Sequence, residues 1–170
     1  MPKEIEGKNA DEWNNEASSY FSLKEFQKVV ECYENALKLG LKDKVQRKLA
    51  LSNLGSAYLR LENYQKANEA YKKLVKFEPN FTIGWYGVGF TSFHLKDYKE
   101  AIKCLEKSLK VDPKNPNLRP NYEAVFRLMG DSYKELQNAP KAIECYKRVL
   151  EINPDNEEVK KSLIALKKEK

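Results

Sequence analysis

The chain has 170 residues, of which 41% are hydrophobic and 33% charged, with a net charge of +6. Seven Gly and seven Pro are too few for a loop-rich or sandwich fold, and the abundance of Ala, Leu, Lys and Glu favours helix. The 31 basic residues are interspersed with 25 acidic ones, so the basic excess reads as solvated helix faces and a nucleic-acid partner is disfavoured.

Residues 1–8 open the chain as a charged segment without an apolar core, expected to be a flexible tail and not a secretory leader. A first helix pair is predicted over 10–43 from Trp13, Ala17, Tyr20, Tyr33 and Ala36. A second follows over 48–81, with one helix near Val45–Leu61, a turn at Glu62-Asn63 and a second helix near Tyr64–Phe77. A third occupies 82–115 and a fourth 123–156, separated by a polar, proline-containing join at 114–121. Asn63, Asp97 and Asn138 stand where the second helix of a pair begins, as N-caps. Pro140 falls in the first turn of the last of these, where its missing N–H costs little. Residues 157–170 carry Val159, Leu163 and Leu166 on one stripe, with acids at the start and lysines at the end. This segment is expected to be a capping helix. No stretch of eighteen apolar residues is present, so no transmembrane helix is predicted.

The pairs repeat. Gly55, Gly89 and Gly130 each stand twelve residues before an Ala (Ala67, Ala101, Ala142), and each Ala stands twelve before a Pro (Pro79, Pro113, Pro154). A Leu recurs fourteen residues into every unit, at Leu23, Leu61, Leu95 and Leu136. Small residues at Ala17, Gly55, Gly89 and Gly130 permit close helix approach, and large ones such as Tyr58, Tyr71, Tyr133 and Tyr146 fill the wedge between hairpins. One hairpin cannot bury that set alone, but stacked hairpins can.

The run Leu54-Gly55-Ser-Ala-Tyr58, then Ala67, Tyr71 and Pro79, on a 34-residue period, resembles the tetratricopeptide (TPR) motif. Met129-Gly130-Asp-Ser-Tyr133, Ala142, Tyr146 and Pro154 match it as well; the third unit has Ser92 in place of the Tyr, and the first lacks the Pro. The resemblance implies a single all-α domain over 1–170, a right-handed superhelical α-solenoid of antiparallel helix hairpins with four units and a C-terminal capping helix. It also implies a non-enzymatic protein–protein interaction scaffold that binds a peptide or helix of a partner in a concave groove. A self-assembling structural module, hence a homo-oligomer, or a chaperone or adaptor subunit of a larger complex is the alternative.

The residues offer no chemistry against this. Cys32, Cys104 and Cys145 all fall on residue 23 of their units, about one repeat apart, beyond disulfide or shared-metal reach. They read as small semi-buried hydrophobes, in agreement with a reducing compartment, and the expected location is cytoplasmic. His94 has no Cys or acid cluster beside it in the sequence, and the Gly84–Gly89 stretch lies inside a predicted helix and is no phosphate loop. No catalytic residue, cofactor or metal ligand is therefore expected.

In the TPR reading the first helix of each hairpin lines the groove. Asn15 and Asn53 share a column where an amide can donate to and accept from a peptide backbone. Tyr86, Phe90 and Phe93 follow i, i+4, i+7 and give the third unit an aromatic groove face, with Arg127 in the fourth. Solvent-facing aromatics mark interaction sites, unless the 114–121 join or the N-terminal tail covers them. The columns that clamp acidic chaperone tails in this family would require Lys, Asn, Asn, Lys and Arg, but hold Asn14, Ser18, Asn53, Ile83 and Gly87. Starting one unit later gives Ser52, Ser56, Gly87, Ala124 and Leu128, which fits no better. No ordinary co-chaperone clamp is expected.

Overall fold

Each hairpin turn carries a helix-stop signal, and in three of the four it overlaps a helix-start signal, Glu25 in the first turn making no side-chain cap. The first helix ends on a Leu, and the residue after it takes the left-handed conformation: Lys24, Glu62, Lys96 and Gln137 have φ of 61°, 56°, 63° and 57° respectively. The next N–H then reaches back to the carbonyl of Tyr20, Tyr58, Ser92 or Tyr133, at 2.8–3.0 Å. This is the Schellman arrangement, with an ordinary side chain where Gly is usual. The same residue starts the following helix. Asn63, Asp97 and Asn138 accept the backbone N–H three residues on, at 3.1, 3.2 and 3.3 Å.

The computed structural model describes residues 4–110 and 121–168. Among them are nine α-helices: α1 (Ala10–Ser22), α2 (Phe26–Leu39), α3 (Lys44–Arg60), α4 (Tyr64–Phe77), α5 (Thr82–His94), α6 (Tyr98–Lys110), α7 (Tyr122–Glu135), α8 (Ala139–Ile152) and α9 (Glu157–Lys168). Consecutive helices pair as the antiparallel hairpins α1/α2, α3/α4, α5/α6 and α7/α8. The fold is thus an all-α hairpin repeat. The 114–121 join lies outside the described residues except for Asn121, which caps α7 through the N–H of Ala124 at 3.1 Å.

The chain divides into two compact units, Met1–Pro79 and Asn80–Lys170. In the first, α2 packs on α3, joining the two hairpins. Its core includes Val29, Tyr33, Ala36, Tyr71 and Leu74, all buried. In the second, α6 packs on α7, and α9 packs on α8. There Val159, Leu163 and Leu166 close over Ala142, Tyr146 and Val149.

In three of the four hairpins the helices meet where the sequence places glycine, and in α1/α2 the same column holds the buried Ala17. A Cβ on Gly55 would stand 2.7 Å from Tyr71 Cζ, and one on Gly130 would stand 2.6 Å from Tyr146 Cε1. These distances leave no room for a methyl group.

Of the segment expected as a tail, residues 1–3 lie outside the described residues, and residues 4–8 make specific contacts. Ile5 and Lys8 exchange backbone hydrogen bonds at 3.0 Å. Trp13 Nε1 donates to the Ile5 carbonyl at 3.2 Å, and Lys8 lies 4.4 Å from the centre of the Trp13 ring and pairs with Glu16. Asn9 then starts α1 with a reciprocal capping box to Glu12. Residues 4–8 are tied to α1 because the buried indole of Trp13 needs a hydrogen-bond acceptor, and Ile5 supplies it.

Candidate functional site

The first helix of each hairpin carries a position whose side chain meets the second helix fifteen residues later. In the Met1–Pro79 unit, Ser18 Oγ lies 3.4 Å from the Tyr33 hydroxyl, and Ser56 Oγ lies 3.1 Å from the Tyr71 hydroxyl. Both Tyr rings are buried, so the hydroxyl needs a partner at the surface it reaches. In the Asn80–Lys170 unit, Tyr146 donates to Asp131 Oδ1 at 2.7 Å. The equivalent pair in the α5/α6 hairpin is Phe90 and Leu105. Three hairpins therefore present a polar pair on this face, and one presents an apolar pair.

Around Phe90 the rings form a ladder. The Tyr86 and Phe90 centroids are 6.2 Å apart, Phe90 and His94 are 4.6 Å apart, and Phe93 stands edge-on to His94 at 5.6 Å. Phe93 also meets Tyr98 at 5.6 Å, and the Tyr98 hydroxyl donates to Glu135 at 3.3 Å. Tyr86, Phe90 and Phe93 are half-buried. Their inner edges pack on a core of Ile102, Leu105, Val125, Leu128 and Met129. Burial pushes the His94 pKa down from its ordinary value, so at neutral pH the imidazole is an uncharged member of the ladder.

Arg127 borders this face. Its Nη1 lies 3.7 Å from Asp131 Oδ2, and its charge bears on Tyr86. Burial raises the Tyr86 phenol, and Arg127 works against that shift. Burial likewise raises the Asp131 carboxyl, opposed by the Tyr146 hydrogen bond and by Arg127.

The predicted residues fall into two groups. Tyr86, Phe90, Phe93 and Arg127 come together in the Asn80–Lys170 unit. Asn15 and Asn53 lie in the other unit and, despite sharing a column, differ from each other. Asn15 is exposed on α1, whereas Asn53 is half-buried and its Nδ2 donates to the Tyr33 hydroxyl at 3.0 Å. Tyr33 thus gathers Ser18 and Asn53 at one point. The partners of the Tyr hydroxyls, Ser18, Ser56 and Asp131, were not singled out from sequence as a set, although the fifteen-residue spacing from polar residue to Tyr is readable there.

Chemistry of other kinds finds no footing among the described residues. No group of three His, Cys, Asp or Glu side chains is placed to hold a metal ion. The three cysteines are free and buried, with thiols pushed up by burial to about 11, 12 and 11 for Cys32, Cys104 and Cys145. Among the described residues no helix is long and apolar enough to cross a membrane.

A tetratricopeptide repeat model matches residues 12–77 and 82–155. The chain is 28% identical over 114 residues to the Protein STIP1 homolog of Dictyostelium discoideum, an overlap of 67% of this chain and 20% of that protein. It spans about a fifth of the length of the curated relatives it matches. The crystal structure of MamA protein aligns at a TM-score of 0.79 and 20% identity, over 92% of this chain and 80% of that one. The first TPR of Spaghetti, bound to the HSP90 peptide SRMEEVD, aligns at 0.60 and 24% identity, over 72% and 94%. At these identities the two structural likenesses speak to fold alone.

Proposed function

The chain belongs to the tetratricopeptide repeat family, and from that premise we propose that it is a non-enzymatic scaffold holding a peptide or helical segment of a partner protein. We place the contact on the α5 face of the Asn80–Lys170 unit. The observation that carries this reading is the replacement of the polar pair by Phe90 and Leu105, flanked by Tyr86 and Phe93. A buried core needs no such ladder on the outer side of α5, and half-exposed rings over a packed base form a surface suited to an apolar anchor. Arg127 and Asp131 at its edge supply polar contacts that fix orientation.

Simple truncation is a poor test, because Tyr86, Phe90 and Phe93 also pack on the core and their loss would open it. The repeat itself suggests a better variant. Phe90→Ser with Leu105→Tyr installs the Ser–Tyr pair of the α3/α4 hairpin, and Gly89 already provides the small residue that Gly55 provides beside Tyr71. Peptides selected from a displayed random library against the parent chain are expected to lose roughly tenfold or more in affinity for this variant, as removal of a central anchor does. Helix content and thermal midpoint should stay near the parent values. Selected peptides that bind parent and variant equally would sink the reading.

The acid-tail columns described above hold no base, and Gly87 among them is buried while Ile83 is 47% exposed. We therefore expect the peptide SRMEEVD to bind no better as the free acid than as its C-terminal amide. A clear preference for the free acid, persisting at physiological salt, would argue for a carboxylate clamp.

A further inference from the structure

The opposite side of the Met1–Pro79 unit carries a cleft of about 830 Å³ between α2, α3 and α4. Its floor is apolar, formed by Leu51, Leu54, Tyr58 and Phe77. Its rim holds five basic side chains, Lys38, Arg47, Lys66, Lys73 and Lys76, against two acidic ones, Glu34 and Glu69. One of the two acids is already engaged, since the Tyr58 hydroxyl donates to the Glu34 carboxylate. Two of the bases lie across the floor: Arg47 is 4.9 Å from the Phe77 ring centre and Lys66 is 5.4 Å from that of Tyr58. Cationic heads and apolar floor are thus presented together.

The other unit provides an internal comparison. A cleft of about 660 Å³ lies between α6, α7 and α8, at the same positions of the repeat, with Tyr133 where Tyr58 stands and Lys141 where Lys66 stands. Its charges run the other way: Lys141 and Arg148 face Glu106, Glu144 and Glu151. Tyr122 takes the place of Arg47, and Glu151 that of Lys76. Corresponding positions with the charge balance inverted mean that a ligand selected by charge distinguishes the two clefts.

We propose that the α2/α3/α4 cleft is a second docking site, for an acidic amphipathic helical segment of a partner protein. Apolar side chains of that segment would rest on the Leu54, Tyr58 and Phe77 floor, and its carboxylates would meet Arg47, Lys73 and Lys76. The volume suits a few anchoring side chains of a helix laid in a groove. This site is in a different unit from the α5 surface and shares no residue with it, so it stands or falls independently of that reading.

The test uses the full chain and a fluorescein-labelled, C-terminally amidated peptide with Leu and Phe on one helical face and Glu flanking them. Its Gln-for-Glu counterpart is the control. The acidic peptide is expected to bind in low salt, to weaken as salt rises, and to exceed its Gln counterpart by about tenfold. The Arg47→Glu/Lys76→Glu variant should weaken binding by about tenfold or more, whereas Arg148→Glu in the other cleft should leave it unchanged. Arg47 and Lys76 are exposed, and the milder Arg47→Gln/Lys76→Gln variant repeats the measurement should the charge reversal disturb folding. No binding of the acidic peptide by the parent chain in low salt overturns the proposal. Binding indifferent to both the reversed and the neutral variant does so as well, as does binding lost in Phe90→Ser/Leu105→Tyr, which would assign the peptide to the α5 face.

Discussion

Replacing Gly130 by Ala isolates the close helix–helix contact of the α7/α8 hairpin. The added Cβ would sit 2.6 Å from Tyr146 Cε1 and 2.7 Å from Cδ1. The Tyr146 ring is fully buried, and its hydroxyl is tied to Asp131 at 2.7 Å. The ring cannot slide away without stretching that bond. Overpacking of this kind costs about 1–3 kcal/mol. Disturbing a hydrogen bond to a charged group adds a part of about 1.5–3 kcal/mol. Ala returns about 1 kcal/mol through its better helix propensity. The net expectation is a loss of roughly 1–3 kcal/mol, read as a lower midpoint in urea unfolding followed by circular dichroism. Gly89→Ala is the comparison. There the Cβ would meet Leu105 Cγ at 2.7 Å, equally close, but Leu105 has no polar tether. It should lose less by about 1 kcal/mol, the difference being the hydrogen bond. A double-mutant cycle makes the tether explicit: Tyr146→Phe should cost less in the Gly130→Ala background than in the parent. A Gly130→Ala chain at least as stable as the parent, or an equal cost of Tyr146→Phe in both backgrounds, would refute the reasoning.

Two further outcomes follow from other parts of the fold. Lys24, Glu62, Lys96 and Gln137 hold φ near +60° with ordinary side chains, so each replaced by Gly should gain roughly 0.5–1 kcal/mol after the extra unfolded-chain entropy, seen as a rise in thermal midpoint. The thiols give a pH dependence whose sign is fixed by burial. Their folded pKa values, about 11–12, exceed the ordinary 9.0, so between those values the folded chain holds protons that the unfolded chain has lost. Stability should therefore fall as pH rises from about 9 toward 12, and a variant with Cys32, Cys104 and Cys145 all replaced by Ala should show a shallower decline in urea midpoint.

The repeat was legible because it rests on residue types with one mechanical use. Gly55, Gly89 and Gly130 stand where a helix must approach a buried Tyr or Leu, and a Cβ there has no room. Asn63, Asp97 and Asn138 were legible as caps because a short acceptor before an amphipathic run has few other reasons to recur. The left-handed residues were not, since Lys24, Glu62, Lys96 and Gln137 are long unbranched polar side chains of a kind common on any helix surface; a backbone pattern selects them. The hold on residues 4–8 has no sequence signature because it depends on one indole N–H finding one carbonyl. At the candidate site, spacing gave the direction of Tyr86, Phe90 and Phe93 but not their depth. Helical periodicity says which way a side chain points, whereas its packing on Val125, Leu128 and Met129 depends on how close α7 comes. Asn15 and Asn53 show the same limit, since one column yields an exposed amide and an amide engaged by Tyr33.

The paired position explains how one repeat can carry both stability and selectivity. In three hairpins a Tyr ring fills the helix–helix contact and its hydroxyl must be satisfied at the surface, by Ser18, Ser56 or Asp131. That demand makes those surfaces polar as a consequence of core packing. Leu105 fills the same contact in the α5/α6 hairpin without a hydroxyl, so nothing obliges residue 90 to be polar. A single buried Tyr-to-Leu difference thereby frees the outer residue to become Phe, and with Tyr86 and Phe93 beside it the face turns aromatic. The same logic governs the opposite side of the repeat. Tyr58 and Tyr133 form the floors of two matching clefts, while the rim positions, unconstrained by packing, carry Arg47 and Lys76 in one and Tyr122 and Glu151 in the other. Positions fixed by the hairpin contact build the scaffold, and the positions it leaves free distinguish one hairpin's surface from the next.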